Sequence, residues 1–153
     1  MEICFKRLYT DEHTIKIMDW SECLGSSVAK KVAPDNEMVK SLILSANNKL
    51  KTAESIETNE ITAGSKLSLA YDSLRETLEA LAIKTGYKIY NHECYTCFIR
   101  EIMHKTEEAQ GFDRLRRIRN KVNYYGQSLS VDEITSLIKE IKDLRKIVIQ
   151  LMK

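Results

Sequence analysis

Apolar residues recur at intervals of three and four along most of the chain beyond residue 33, which is the spacing of one face of an α-helix. The stripe is cleanest in the second predicted helix and most regular in the last one. A break at Gly111 separates the third predicted helix from an Arg-rich one. The predicted helices cover 37–58, 63–85, 92–104, 113–126 and 131–153.

Helix-capping residues stand at the predicted ends. Asp35 follows a proline and can cap the first helix, Gly86 can end the second, and Asn91 can cap the third. Ser130 and Glu133 have the spacing of a capping box at the start of the last helix. Short connections favour antiparallel neighbours, so the sequence predicts an all-α fold, an up-and-down antiparallel bundle of four to five helices.

Composition supports this fold class. One Pro and five Gly among 153 residues are too few for the frequent turns of a β-sandwich. Residues 1–33 match neither the helical nor the strand period, and we expect them to form an extension that packs on the main body. A flexible arm that orders on a partner is the alternative. The helical bundle domain is predicted over 34–153.

The net charge of +2 is small, so any preference for polyanions must come from a local patch. No run approaches the ~18 apolar residues of a membrane span. Charges at Glu2, Lys6 and Arg7 interrupt the N-terminus, which therefore lacks the apolar core of a signal peptide. We expect a cytoplasmic protein in which Cys4, Cys23 and the other two cysteines are reduced.

Those two cysteines form the motif His92-x-Cys94-x-x-Cys97, which could bind zinc together with His104. The segment is predicted as helix rather than as a zinc knuckle, so buried thiols in the core are favoured, and no metal site or cofactor is predicted. A thioredoxin-like redox role lacks the expected strand. His92 is interpreted as part of a helix start, and His13, like the other histidines, is far in sequence from the Arg-rich helix.

The Arg-rich segment reads D-R-L-R-R-I-R-N-K-V-N-Y-Y-G over 113–126, with five basic residues in eight positions and a capping Gly126. As a helix it divides into three stripes. A core-facing stripe contains Leu115, Ile118, Val122 and Tyr125. The opposite stripe, expected to be free for a ligand, contains Arg116, Arg119, Asn120 and Asn123, with Tyr124 at its margin. A purely basic edge contains Arg114, Arg117 and Lys121.

These residue types suit a phosphate-bearing ligand. Arg holds phosphate with planar two-point hydrogen bonds, Asn offers both a donor and an acceptor, and Tyr offers a stacking face. The alternative is a solvated helix face whose arginines pair with acids elsewhere.

The segment R-I-R-N-K-V-N-Y-Y-G resembles the signature helix of HEPN domains. The stretches A-Y-D-S-L-R-E-T-L-E-A-L-A over 70–82 and G-Y-K-I-Y-N-H-E over 86–93 are similar to that family's second helix and following loop. The resemblance covers roughly 34–153.

The resemblance implies an all-α bundle that usually dimerises, with the signature helix lining a cleft between protomers. Many HEPN proteins are metal-independent endoribonucleases, and others bind RNA or nucleotides or are partners of nucleotidyltransferases in toxin–antitoxin pairs. Arg119 matches the family's Arg and Asn120 its polar residue. The family's His falls on Tyr124, Tyr125 or Gly126, and the segment contains no His.

We therefore expect an RNA- or nucleotide-binding protein, with cleavage left open as that of a weak or degenerate ribonuclease. A Tyr whose pKa is near 10 is a poor base at neutral pH. The catalytic candidates are Arg119, Asn120 and Tyr124, and Arg116 and Asn123 extend the binding face. The alternative is a non-catalytic interaction module that forms a homodimer or docks a nucleotidyltransferase.

Overall fold

The computed structural model describes residues 18–153, and over these residues the chain is a helical bundle with one small sheet, which confirms the all-α class. Expectations for residues 1–17, including Cys4 and His13, lie outside the described residues. The helices are α1 (Trp20–Gly25), α2 (Asn36–Ser55), α3 (Ala63–Thr85), α4 (His92–Cys97), α5 (Thr106–Tyr125) and α6 (Val131–Leu151). The strands are β1 (Ala29–Lys31) and β2 (Tyr87–Ile89), and a π-helical turn (Phe98–Ile102) follows α4.

The centre of the bundle is α3, which packs against α2, α5 and α6. Most of its side chains are buried, including the polar Ser73 and Thr77. Ser68, Asp72, Arg75 and Glu79 form a partly exposed polar stripe. A helix buried over most of its surface lies inside a bundle. No helix in residues 18–153 is both long and apolar enough to cross a membrane.

The helix-capping residues in the sequence predict several helix boundaries well. The bounds of α3 are those predicted, and Gly86 ends it in the left-handed conformation, with φ of 98°. Asp35 and Asn91 accept backbone hydrogen bonds as N-caps. The capping box of Ser130 and Glu133 is present at the start of α6. These features are encoded within a few residues of the chain, so the sequence alone identifies them.

Two predicted boundaries are wrong. The predicted break at Gly111 does not occur, because α5 begins at Thr106 and continues through the glycine. A helix-interior Gly costs about 1 kcal/mol relative to Ala, and burial of Ala109 and Phe112 on either side outweighs that cost. The third helix does not reach His104, since α4 ends at Cys97 and the π-helical turn replaces its continuation.

The segment predicted as a loop after Gly86 contains β2, which pairs antiparallel with β1 in the register Ala29↔Ile89. The prediction of a loop there is wrong, because the partner strand lies far upstream in sequence. Trp20 of α1 is buried against the rings of Tyr87 and Phe98, at centroid distances of 5.1 and 5.7 Å. The expectation that the N-terminal extension packs on the body is therefore confirmed for residues 18–33.

A disulfide joins Cys23 of α1 to Cys94 of α4, and Cys97 is a buried free thiol. The expectation of reduced thiols is wrong for Cys23 and Cys94, whose Cα atoms lie 6.0 Å apart, within the range that a disulfide spans. It is confirmed for Cys97, as is the interpretation of this residue as a buried core thiol.

A buried guanidinium ties three helices together. Arg145 of α6 donates from Nε to Thr77 Oγ1 on α3 at 3.0 Å and from Nη2 to Asn47 Oδ1 on α2. Thr77 in turn donates to the Ser73 carbonyl at 2.7 Å. A buried donor that loses its acceptor still has the cost of desolvation. A shift of α6 relative to α3 would separate Arg145 from Thr77, so this network fixes the position of α6 on α3.

We expect Thr77→Val to lower the free energy of unfolding by about 1–3 kcal/mol, because it leaves Arg145 Nε buried without an acceptor. The measurement is urea unfolding followed by circular dichroism. Thr135→Val is the matched control, since its exposed hydroxyl bonds only the Val131 carbonyl in the same helix. Equal effects of the two substitutions would contradict the account.

Candidate functional site

The Arg-rich segment is the second half of α5, and its core-facing stripe is only partly as predicted. Leu115 is buried, and Ile118 and Val122 pack against the core. Tyr125, predicted to face the core, is 65% exposed. The reason lies at the start of α3, where a Cβ on Gly64 would stand 3.3 Å from Val122. Because α3 begins beside Val122, the last turn of α5 extends beyond the end of α3, and Tyr125 in that turn is exposed.

The two arginines of the stripe predicted to be free for a ligand are largely covered. The side chains of Arg116 and Arg119 are only 17% and 15% exposed, whereas those of Arg114 and Arg117 on the basic edge are 51% and 55% exposed. The difference arises because α5 turns the Arg119 face toward α3. The prediction of a fully open Arg/Asn stripe is therefore wrong.

Arg119 is held mainly by aromatic rings. Its guanidinium carbon lies 5.3 Å from the ring centroid of Tyr71 on α3 and 6.0 Å from that of Tyr124 on its own helix. Its Nη2 is 3.8 Å from Asp72 Oδ1, a long contact for an ion pair. Its Nε is buried without a hydrogen-bond partner among the described residues. Part of the hydrogen-bonding capacity of Arg119 is thus unused within residues 18–153.

Tyr71 connects Arg119 to a histidine. The Tyr71 ring is fully buried and stacks on Phe112 at 5.9 Å, and its hydroxyl lies 3.3 Å from Nδ1 of His92 at the start of α4. A phenol can donate to or accept from an imidazole nitrogen, so this contact suits either neutral tautomer. The structure therefore brings an imidazole to the far edge of the ring on which Arg119 rests.

This assembly of side chains from α3, α4 and α5 is called the Arg119 cluster below. Its members are Tyr71, Asp72, His92, Arg116, Arg119 and Tyr124.

The arginines around the cluster differ in how well their charges are compensated. Arg116 donates from Nε and Nη2 to Asp113 Oδ1 at 3.1 and 2.7 Å. Arg117 Nε lies 2.8 Å from Asp113 Oδ2, and Arg75 donates to Glu79 at 3.2 Å. The Arg119 contact with Asp72 is longer than any of these. Arg119 is thus the least tightly paired of the four, the property that an anion-binding group requires.

Burial sets the protonation of two members of the cluster, His92 and Tyr71. Burial, with smaller contributions from Arg75 and Arg119, lowers the pKa of His92 below its usual 6.5. Burial raises the pKa of Tyr71 well above its usual range. At neutral pH the imidazole is therefore uncharged and the phenol keeps its proton, so the cluster combines a cation with a neutral group able to exchange a proton.

The remaining predicted site residues lie along the same helix. Asn120 is half-buried beside Arg119 in sequence, and Tyr124 is 70% exposed. Asn123 accepts a hydrogen bond from Ser68 Oγ of α3 at 2.9 Å. Two of the five predicted binding residues, Arg119 and Tyr124, thus contact each other directly, and Asn123 helps to dock α5.

Sequence reasoning missed His92 because the residue is far in sequence from the Arg-rich helix, and its place at a helix start offers a simpler interpretation. His92 and Arg119 belong to separate helices, and Tyr71 on a third helix lies between them. The capping signal of Asn91 does place His92 in the first turn of α4. Nothing local in the sequence indicates which helix that first turn faces.

The Cys-x-x-Cys pair does not offer two thiolates, because Cys94 is in the disulfide. Within residues 18–153, no group of three or more His, Cys, Asp or Glu is arranged to hold a metal ion. A cavity of about 300 Å³ lies between α4 and α5, with Thr96, Cys97 and Arg117 in its lining. It does not include Arg119 or His92, so the cluster is a partly open surface site rather than this cavity.

No protein-family model matches this sequence, and searches of curated proteins and of solved structures find no significant match. The HEPN resemblance therefore stays a prediction.

We expect Arg119→Ala to raise the pKa of His92 toward 6.5, because the substitution removes a nearby positive charge and admits water. The measurement is an NMR titration of the imidazole ring protons, assigned with His92→Gln. Arg114→Ala is the control, since Arg114 pairs with Glu140 on α6. A His92 pKa that is the same in both variants would show that Arg119 does not influence His92.

Proposed function

We propose that this chain is an HEPN-like RNA- or nucleotide-binding protein and a weak metal-independent endoribonuclease of the kind found in toxin–antitoxin pairs. The observation that carries the proposal is that a loosely paired Arg119 lies over the ring of Tyr71 while a neutral His92 contacts the hydroxyl of the same ring. The resemblance of the α5 sequence to the HEPN signature is a second, independent support.

Phosphate binding is assigned to Arg119. The long contact of the Arg119 guanidinium with Asp72 is readily exchanged for a charge-assisted bond to a phosphodiester. The exposed ring of Tyr124 provides a stacking surface for a base next to that phosphate. Asn120 orients the ribose or Arg119, while Arg116 and Asn123 hold the helix face in place.

The acid–base role is assigned to His92. The HEPN signature would place its histidine near Tyr124, and the contact between Tyr71 and His92 supports an imidazole from α4 as the substitute. A neutral imidazole can accept the proton of a ribose 2′-hydroxyl, whereas the phenol of a tyrosine is a poor acceptor at neutral pH. Arg119 then stabilises the negative charge that develops on the phosphate.

We expect Arg119→Ala to weaken binding of a fluorescein-labelled single-stranded RNA by about tenfold or more, which is the loss of one charge-assisted hydrogen bond. Fluorescence anisotropy at fixed salt measures the dissociation constant. Arg114→Ala removes the same charge from the same helix outside the cluster, and we expect its effect to stay within about twofold.

Equal losses of RNA affinity in the two variants would indicate binding to a diffuse positively charged surface and would contradict the assignment of Arg119 as the phosphate-binding residue. Affinity of the wild type should also fall steeply with added salt, because bound phosphates release counterions. Salt-independent binding would argue against phosphate recognition.

We expect His92→Gln to abolish RNA cleavage while leaving the RNA dissociation constant unchanged, because the amide keeps a hydrogen bond to Tyr71 and has no basic nitrogen. Cleavage is followed on denaturing gels in EDTA. The wild-type rate should rise as His92 loses its proton and level off at or below pH 7, since its pKa is lowered. Persistent cleavage in His92→Gln would remove the histidine from the mechanism.

A second candidate function is that of a non-catalytic interaction module, as a homodimer or docked on a nucleotidyltransferase. It is supported by three exposed apolar side chains around the connection between α5 and α6, namely Tyr124, Tyr125 and Val131. Sedimentation analysis separates the two functions, because an interaction module associates tightly in high salt and is indifferent to RNA.

A further inference from the structure

One half of the disulfide between Cys23 and Cys94 lies close in sequence to His92 of the Arg119 cluster. Cys94 is two residues beyond His92, and both belong to the six-residue helix α4. Because Cys23 belongs to α1, the bond ties the N-terminal segment to the helix that carries the imidazole. The mechanism proposed above makes no use of this bond.

The position of helix α4 depends on its bonds and contacts with neighbouring helices. Helices shorter than about 12 residues are marginal on their own, because nucleation costs more than a few hydrogen bonds return. On its outer side α4 is covered by α1, and on its inner side Tyr95 packs edge-on against Phe112 of α5 at 6.1 Å. Its first residue, His92, meets α3 through the 3.3 Å contact with Tyr71.

The described part of the N-terminal segment also makes specific non-covalent contacts with the body. The Trp20 backbone N–H donates to Glu101 at 2.8 Å, and the Met18 carbonyl accepts from the Cys97 thiol at 2.8 Å. Strand β1 contributes a three-residue ladder with β2. These contacts keep the segment near the body without the disulfide, so its removal is expected to loosen α1 and α4 rather than unfold the bundle.

We propose that the Cys23–Cys94 disulfide is a redox switch on the Arg119 cluster, and that its reduction by a dithiol releases α4 and displaces His92 from Tyr71 and Arg119. For its effect on RNA cleavage, this inference rests on the proposed function. For the position of His92, it rests on the structure alone.

The chemistry of the switch is a thiol–disulfide exchange. A dithiol thiolate attacks one sulfur of the pair, the S–S bond breaks, and the second dithiol sulfur then displaces the mixed disulfide. Cys23 and Cys94 gain two electrons and two protons, and the dithiol leaves as its cyclic disulfide. Both cysteines are fully buried, so the attack requires α1 to open first, and reduction is slow.

Cys97 offers a matched control. It is a buried free thiol one helical turn from Cys94 and is not part of the disulfide. Cys97→Ala retains the Cys23–Cys94 bond and should respond to the dithiol as the wild type does. Cys23→Ala lacks the bond and should be insensitive to the dithiol.

The test compares four samples, namely oxidised wild type, wild type reduced with dithiothreitol, Cys23→Ala and Cys97→Ala. Alkylation and mass spectrometry count the free thiols, and circular dichroism verifies that each sample is helical. The first readout needs no RNA and is the pKa of His92 by NMR. We expect it to be lowered in oxidised wild type and Cys97→Ala, and to rise toward 6.5 in the two samples without the bond.

The second readout is RNA cleavage, which we expect to fall by at least about tenfold without the bond, because displacement of a catalytic group by about 1 Å is that costly. RNA affinity should change by less than about threefold, since Arg119 is on α5. An unchanged His92 pKa after confirmed reduction would overturn the switch, even if RNA is cleaved. A shifted pKa in a protein that binds no RNA would support the switch and refute the proposed function.

Discussion

The buried ring of Tyr71 holds together the three helices that form the candidate site. One face carries the Arg119 guanidinium, the ring stacks on Phe112, and the hydroxyl meets His92. Each contact comes from a different position on α4 or α5, so the orientation of both helices relative to α3 depends on this residue. An aromatic ring can do this because its apolar body packs while its hydroxyl and π-face accept polar partners.

The site is a compromise between burial and charge. Several arginines around Tyr71 would repel one another in a dry interior, and Asp113 and Glu79 offset this by pairing with Arg116 and Arg75. Arg119 has no equally close carboxylate among the described residues. Its charge is balanced mainly by aromatic faces, which are weaker partners than a carboxylate and leave the guanidinium able to meet an anion.

Features encoded by neighbouring residues could be predicted from the sequence. The bounds of α3, its Gly86 end and the Ser130 capping box depend on side chains within a few positions of the backbone groups they serve. The all-α class follows from the same local signals. Among the site residues, the proximity of Arg119 and Tyr124 could also be predicted, because both residues belong to one helix and are five positions apart.

Features that depend on contacts between distant segments could not be predicted. The β1–β2 ladder and the Cys23–Cys94 bond each join parts of the chain that share no local signal. His92 reaches the cluster only because α3 inserts Tyr71 between α4 and α5. The burial of Arg116 and Arg119 likewise results from the packing of α5 on α3. The spacing of apolar residues and the composition do not specify how the helices pack.

We propose that Arg119 and His92 act on one bound RNA. The most direct measurement is NMR of the oxidised protein during addition of a short single-stranded RNA, observing the Arg119 Nε–H and the His92 ring protons. We predict that both change together and saturate at the same RNA concentration, with the Tyr124 ring affected and α2 unaffected. Saturated binding that shifts other surfaces and leaves Arg119 and His92 unchanged would contradict the account.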